Sequence, residues 1–317
     1  MRPEARPLVL GGESLLGGAI RRALLQAGRL PLPASPAAEP ELTDPCAVER
    51  LFAETRPTHV FLAAGPSGGI AANQRRPVEL MHANLLIAVH ALAAARRAGV
   101  ERLLYLASSC SYPRLAPQPM REEALFSGPL EPTNQAYATA KLAGLVLCQA
   151  YAQQYGARFQ AAIPANAYGP GDDFRPEEAH VIPGLIARLH AAKLAGAPEV
   201  AVWGSGAARR EFVFAEDLAE AALTVMECAA CPDPINLGGG EEVSIAELAE
   251  RVREVVGYTG RLRFDPGRPD GMPVKRLDGT RLARLGWRPR TPLAEGLART
   301  YRWYLAQGAG EGDRHGR

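Results

Sequence analysis

Tyr137 and Lys141 stand four residues apart in Gln-Ala-Tyr-Ala-Thr-Ala-Lys-Leu at 135–142. At that spacing a phenol and an ammonium share one face of a helix. An ammonium beside a phenol favours phenolate and lowers the Tyr pKa from about 10 toward neutral pH. A phenol tuned in this way can pass a proton to or from an alcohol or sugar oxygen. The 36 basic residues include only three lysines, Lys141, Lys193 and Lys275, so Lys141 stands out from an Arg-dominated composition. On spacing alone the pair equally suits a solvated helix face, and the residues upstream decide between the two. Ser108, Ser109 and Cys110 follow the apolar run Leu-Leu-Tyr-Leu-Ala at 103–107, which places them at the carboxyl end of an expected strand. In open parallel sheets ligands bind at that edge. A hydroxyl there joins the Tyr and Lys in a three-group set able to handle a proton around one carbonyl. Cys110 by itself also suits a small core residue.

These groups need a scaffold, and the N-terminus begins one. The apolar run Pro-Leu-Val-Leu at 7–10 leads into Gly-Gly-Glu-Ser-Leu-Leu-Gly-Gly at 11–18 and then a helical pattern over 15–27. Strand, Gly-rich turn and helix in that order form the context of a dinucleotide site. Backbone N–H groups and the positive dipole end at the helix start can hold a pyrophosphate. Gly11 permits the tight turn, and Gly17 permits close helix–strand packing.

Further strand-like runs lie near 58–63, 101–107, 158–163, 199–203 and 234–237. Helical patterns lie near 74–98, 134–154, 216–228, 244–256 and 291–306, and the alternation is that of βαβ units. The helix from 134 carries the Tyr–Lys pair, and the helix at 74–98 is expected to join it in a subunit interface. A chain of 317 residues, 47% of them hydrophobic, is long enough to bury a core in two joined lobes. A net charge of +2 offers no field for nucleic acid. No apolar stretch is expected to reach the roughly 18 residues a membrane span needs, and no charged-then-apolar pair of a signal peptide is expected at the start of the chain. Five cysteines without framework spacing suit a reducing cytoplasm. Cys228 and Cys231 form a C-x-x-C that is read as the end of an Ala-rich helix, with no metal expected. The segment 307–317 is polar and Gly-rich and is expected to be disordered.

Longer stretches carry a family resemblance: residues 61–73, 108–113, 128–134, 137–141, 168–172, 180–186, 202–204 and 209–212. Together they resemble the GDP-L-fucose synthases, bifunctional epimerase-reductases of the extended short-chain dehydrogenase/reductase family, from about residue 8 to about 305. The resemblance implies an α/β fold, a Rossmann-type doubly wound parallel sheet with a smaller, mostly C-terminal α/β substrate-binding domain. The first domain would span 1–165 with return segments near 199–238, and the second 166–198 and 239–306. Ser108, Tyr137 and Lys141 match the family's reductive triad, and Cys110 and His180 its epimerising acid/base pair. The implied cofactor contacts are Gly11, Gly12, Glu13, Ser14, Leu15, Leu16 and Gly17, with Leu106, Ala107, Ser108, Ser109, Lys141 and His180. Pro164, Ala165, Asn166 and Ala167 fall on a loop near the nicotinamide. Arg188, Trp203, Arg210 and Asp270 fall where the family holds a GDP-sugar, and relatives of this fold commonly dimerise.

Three positions depart from the family pattern. Ser14 replaces the middle Gly, adding a Cβ where backbone should approach pyrophosphate. The loop reads Gly12-Glu13 where the family has His and a variable residue. The stretch 31–40 offers no Arg for a 2′-phosphate and no clear acid for a ribose. NADP(H) is therefore what the resemblance implies, with NAD(H) left open by the residues. Single-function reductases or epimerases on a related nucleotide 4-keto sugar share the scaffold, as would a non-catalytic dinucleotide sensor.

Overall fold

A computed structural model describes residues 1, 4–32, 40–176 and 178–312, with side chains through residue 307. Most of the stretch 31–40, on which the 2′-phosphate argument rests, and residues 313–317 lie outside the described residues. In chain order the elements are β1 (Pro7–Leu10), α1 (Leu15–Gln26), α2 (Pro45–Thr55), β2 (His59–Leu62), α3 (Ile70–Arg75) and α4 (Pro77–Arg97). Then come β3 (Arg102–Leu106), α5 (Gln135–Tyr155), β4 (Phe159–Pro164), β5 (Asn166–Tyr168), α6 (Val181–Leu194), β6 (Glu199–Trp203) and β7 (Arg209–Phe214). The chain continues with α7 (Ala215–Glu227), β8 (Ile235–Leu237), β9 (Glu241–Ser244), α8 (Ile245–Val256), β10 (Arg261–Asp265), β11 (Val274–Lys275), α9 (Thr280–Arg284) and α10 (Leu293–Gly312).

The central sheet is parallel, in the order β1-β2-β3-β4-β8, and Leu32 makes a parallel bridge to Leu8 on the free side of β1. β1 and β2 are buried at every position, because helices cover both faces. That explains why they read as continuous apolar runs rather than as alternation. The large core gathers β1–β4, α1, α2, α4 and α7, with Met272, Leu277, Leu282 and Trp287 reaching into it from the C-terminal third. A second core joins α6, α8 and α10 with β6 and the strands around β7, through residues such as Leu185, Val202, Leu248 and Leu297.

Local chemistry explains the boundaries. α1 starts at Ser14, whose hydroxyl accepts from Gly17 N, a standard N-cap arrangement. The expected helix at 74–98 is two helices, because Pro77 forbids helical hydrogen bonding there and Arg76 leaves helical geometry (φ −129°, ψ 50°). α2 was not foreseen; Asp44 caps it and Pro45 opens it. α8 carries a full capping box between Ser244 and Glu247 and ends on Gly257 in the left-handed region.

Four expectations need correction. β6 does not return to the central sheet: it pairs with β10 and packs Val200 and Val202 into the second core. Residues 272–287 pack on the first core rather than the second. α10 continues to Gly312, into the segment expected to be irregular, since no proline stops it once Leu297 and Tyr301 anchor its face. α4 is long and apolar enough, by length and composition, to cross a membrane; 44% of that window is buried inside the protein, against α2 and α5. Its alanines raise hydropathy while allowing close helix packing.

Glu211 on β7 joins the parts. It is 1% exposed, and its carboxylate accepts from Gly239 N at 2.5 Å, Gly240 N at 2.8 Å and Leu277 N at 2.7 Å. The loop after β8 and the strand leading out of β11 are thereby tied to β7. Replacing Glu211 with Ala leaves three largely buried N–H groups without an acceptor, each costing about 1–3 kcal/mol. Urea unfolding of Glu211→Ala is expected to show a loss of about 3 kcal/mol or more, with a smaller loss for Glu211→Gln.

Candidate active site

The glycine-rich loop closes tightly around the end of β1. Gly11 has φ +84°, and a Cβ there would lie 2.6 Å from the backbone of Ala63 and Ala64. A Cβ on Gly17 would lie 1.9 Å from Gly11 O, so only glycine lets the helix start sit this close to the strand. Ser14 donates to Gly11 O at 2.7 Å and accepts from Gly17 N at 3.1 Å. Its side chain is thus turned back into the loop, which answers the crowding expected of a Cβ at this position. Glu13 is exposed and pairs with Arg21 at 3.3 Å. Leu15 and Leu16 begin α1 half-exposed, with the first N–H groups of the helix at its open end. This cradle fits a dinucleotide pyrophosphate.

β3 delivers the next groups. Leu106 and Ala107 are buried, Ser108 begins a short 3-10 turn over Ser109–Ser111, and its hydroxyl accepts from Cys110 N at 3.2 Å. The same Ser108 side chain lies close enough to the Tyr137 phenol to act on its charge. Lys141 lies one turn further along α5, buried, with Nζ donating to Leu106 O at 3.2 Å and Ala64 O at 3.4 Å. The expectation that Lys141 holds the phenol pKa down is not met. The ammonium is turned to the two carbonyls, and burial pushes the Tyr137 pKa up, Cys110 adds to the rise, and Ser108 opposes it. Burial lowers Lys141 to about 8.

Two groups that the sequence reading did not select complete the surroundings of Cys110. Asn134 Nδ2 donates to Cys110 Sγ at 3.1 Å, and Lys275 Nζ lies 3.8 Å from the same sulfur. Lys275 also faces His180 closely enough for its charge to act there. His180 caps the start of α6 without a side-chain cap bond, so its ring is free to face the cleft. The segment before it is pinned by Glu178, whose backbone O accepts from Gly69 N at 3.1 Å. The Glu178 carboxylate also pairs with Arg75 at 2.7 Å and with Arg76. Surrounding protein and then the Lys275 ammonium push the His180 pKa down, while Asp173 opposes them. The ring nevertheless keeps access to solvent in the open cleft, which limits that push. His180 is therefore neutral at neutral pH.

The expected sugar-nucleotide residues divide into two groups. Arg210, beside Lys275 in the β7–β11 register, feels the Cys110 sulfur and donates to Asp270 O at 2.8 Å. Trp203 ends β6 with 45% of its surface exposed. The Arg188 and Arg268 guanidiniums lie 5.8 and 4.9 Å from its ring centroid. Arg188 is anchored to Gly184 O and Ala201 O. The Asp270 carboxylate is engaged within the protein, accepting from Ser205 N at 2.8 Å and Ser205 Oγ at 2.7 Å. It fixes the turn at 203–206 and presents its backbone oxygen to Arg210. Pro164 ends β4, and Asn166 Nδ2 donates to Glu211 O at 2.5 Å, which seats 164–167 beside the cleft. Of the groups missed, Lys275 had a faint signal as one of three lysines and Asn134 as the last residue of the matching stretch 128–134; Arg268 had none apart from the fold.

Comparison with known proteins agrees with this geometry. The NAD dependent epimerase/dehydratase family matches residues 7–238. A probable GDP-L-fucose synthase 1 from Oryza sativa subsp. japonica is 47% identical over 298 residues, 94% of this chain and 91% of the relative. Among solved structures, a GDP-L-fucose synthetase from Naegleria fowleri bound to NADP superposes with a TM-score of 0.87 at 28% identity, covering 98% of this chain and 95% of that one. A GDP-6-OMe-4-keto-L-xylo-heptose reductase from C. jejuni reaches 0.90 at 29% identity, covering 97% and 99%. With a glycine cradle, a Ser–Tyr–Lys set and a match over most of its length, the chain belongs to the NAD dependent epimerase/dehydratase family.

Proposed function

We propose that this protein converts GDP-4-keto-6-deoxy-D-mannose to GDP-L-fucose, epimerising C3 and C5 and reducing C4 with NADP(H). The observation that carries this reading is one contiguous cluster: Ser108 near Tyr137, Cys110 beside both, and Lys275 between Cys110 and His180. Its two halves match the two kinds of step. The C4 carbonyl of such a sugar acidifies the protons at C3 and C5. Cys110 as thiolate removes each proton, and the Ser108 and Tyr137 hydroxyls donate to the oxygen on which charge develops. His180, which is open to solvent, takes up a solvent proton and as imidazolium delivers it from the opposite face, inverting the centre. The Cys110 thiol returns its proton to solvent before the next removal. The bound dinucleotide supplies hydride to C4. Tyr137, kept protonated by burial, gives its proton to the C4 oxygen.

Positioning follows from the remaining groups. Residues 11–17 would hold the pyrophosphate, Lys141 would serve the nicotinamide ribose, and 164–167 would lie near the ring. Arg188 and Arg210 face the diphosphate, and Trp203 offers an indole face to the base. Five unpaired cysteines support a reducing, cytoplasmic setting. Val89 of α4 and Val146 of α5 are exposed on the paired helices, which supports a homodimer through that face. Light scattering at micromolar protein is expected to give twice the chain mass.

The deciding assay is NAD(P)H absorbance loss with GDP-4-keto-6-deoxy-D-mannose, with the product identified by NMR. GDP-L-fucose, with NADPH preferred, is the expected outcome. An unepimerised product would make the protein a 4-reductase like the C. jejuni neighbour. Tyr137→Phe is expected to lower reduction at least a hundredfold while solvent-proton exchange at C3 and C5 persists. Cys110→Ser is expected to suppress that exchange. Lys141 carries charge below about 8, and its ammonium is the form that donates to ribose hydroxyls. NADPH affinity, followed by fluorescence, should therefore weaken as pH rises through that value, and Lys141→Met should flatten the dependence.

A further inference from the structure

We propose that Lys275 and Asn134 hold Cys110 as a thiolate, Lys275 as its counter-ion and Asn134 as its hydrogen-bond donor. The inference rests on the reading of Cys110 as the base and assigns two positioning residues to it. Lys275 Nζ stands 3.8 Å from the sulfur. No carboxylate lies within ion-pair distance of Lys275 among the described residues, whereas most arginines around it are paired. The sulfur is thus the nearest group able to carry the compensating charge.

Asn134 supports the same assignment independently. It occupies the position before α5 where Asn ordinarily caps the helix, yet its side chain makes no cap bond. The amide instead points Nδ2 at Cys110 Sγ, 3.1 Å away, and leaves Oδ1 buried without a partner. Giving up a cap and burying an orphaned acceptor costs stability. The arrangement has a use if the sulfur needs a donor, as a thiolate does and a neutral thiol does not.

The other charged and titratable groups facing the sulfur are Arg210 from β7 and the Tyr137 phenol from α5, with Glu211 and His180 beyond Lys275. Arg210 is engaged with the carbonyls of Arg209 and Asp270, and the half-buried Tyr137 phenol is held in its neutral form. Lys275 is therefore the cation within bonding distance of the sulfur. β11 places it there: Val274 and Lys275 pair with Arg209 and Arg210, and Glu211 grips Leu277 N two residues on.

The test is the pH dependence of Cys110 alkylation by iodoacetamide in the full-length protein, read by peptide mass spectrometry so that the other four cysteines do not interfere. The wild-type midpoint is expected at least one pH unit below the ~8.5 of a free cysteine. Lys275→Gln should raise the midpoint by about one unit, slowing alkylation at pH 7 about tenfold, and Lys275→Arg should restore most of the rate. Asn134→Ala should move it the same way by less. A wild-type midpoint at or above that of free cysteine overturns the proposal, as does a midpoint that Lys275→Gln leaves in place. If Lys275→Gln does not fold, the wild-type midpoint and the Asn134→Ala shift decide. Sugar-proton exchange in deuterated solvent separates the two readings. Exchange surviving Cys110→Ser, while the alkylation midpoints still move, would place the base elsewhere and leave the ion pair standing.

Discussion

A buried carboxylate holds this active site together. Glu211 sits near the middle of β7, almost without solvent, and satisfies three backbone N–H groups from two other segments. A charge so placed is costly unless its hydrogen-bonding capacity is filled, and here burial raises its pKa while the three N–H donors pull it back down. The donors come from the loop after β8, which belongs to the central sheet, and from the segment leaving β11. β7 also pairs with β5, β9 and β11. One side chain therefore sets the relation between the central sheet's edge and the strand that carries Lys275. A neighbouring set built on Asn236, which accepts from Tyr112 Oη and donates to Met120 O and Asp278 O, reinforces the same junction.

The cleft is electrostatically divided. One wall carries Arg188, Arg210, Arg268 and Lys275, with an exposed Trp203 among them. The other wall, from β3 and α5, offers neutral hydroxyls and a lysine whose charge is spent on two main-chain carbonyls. In the proposed reaction the first wall would draw the anionic diphosphate and the second would handle the proton. Desolvation by the surrounding protein favours the protonated Tyr137 phenol and the neutral His180 ring, with Lys275 adding to the latter. An acid that must donate to a newly formed alkoxide benefits from being held in its protonated form until that alkoxide appears.

Part of the proposed site was legible in the sequence itself, because several of its groups sit at the ends of regular elements, while Cys110, His180, Arg188, Trp203, Arg210 and Asp270 were selected through the family resemblance. β1, β2, β3 and β4 are short apolar runs bounded by Gly, Pro and Ser, and their carboxyl ends carry the glycine cradle, Ala63–Ala64, Ser108 and 164–167 in turn. Tyr137 and Lys141 share a helix face by local geometry alone. Less legible were β5, β9, β10 and β11, strands of two to five residues whose pairing depends on partners up to 65 positions away. β6 showed a strand pattern, but no local signal could say that its partner would be β10.

The sequence by itself determined the main βα elements, the cradle and the Tyr137–Lys141 pair, since these follow from periodicity, glycine geometry and residue chemistry over a few neighbours, and its resemblance to a family added Cys110 and His180. Only the tertiary structure decided the charge states and the company those side chains keep. Lys141 four residues from Tyr137 looked like a charge acting on a phenol. Folding turned that ammonium toward Ala64 and Leu106 and left burial to govern the phenol. Lys275 and Asn134, 165 and 24 residues from Cys110, meet its sulfur. The reason is the range of the forces involved: desolvation and Coulomb interaction depend on what surrounds an atom in space, and that is set by the packing of distant segments.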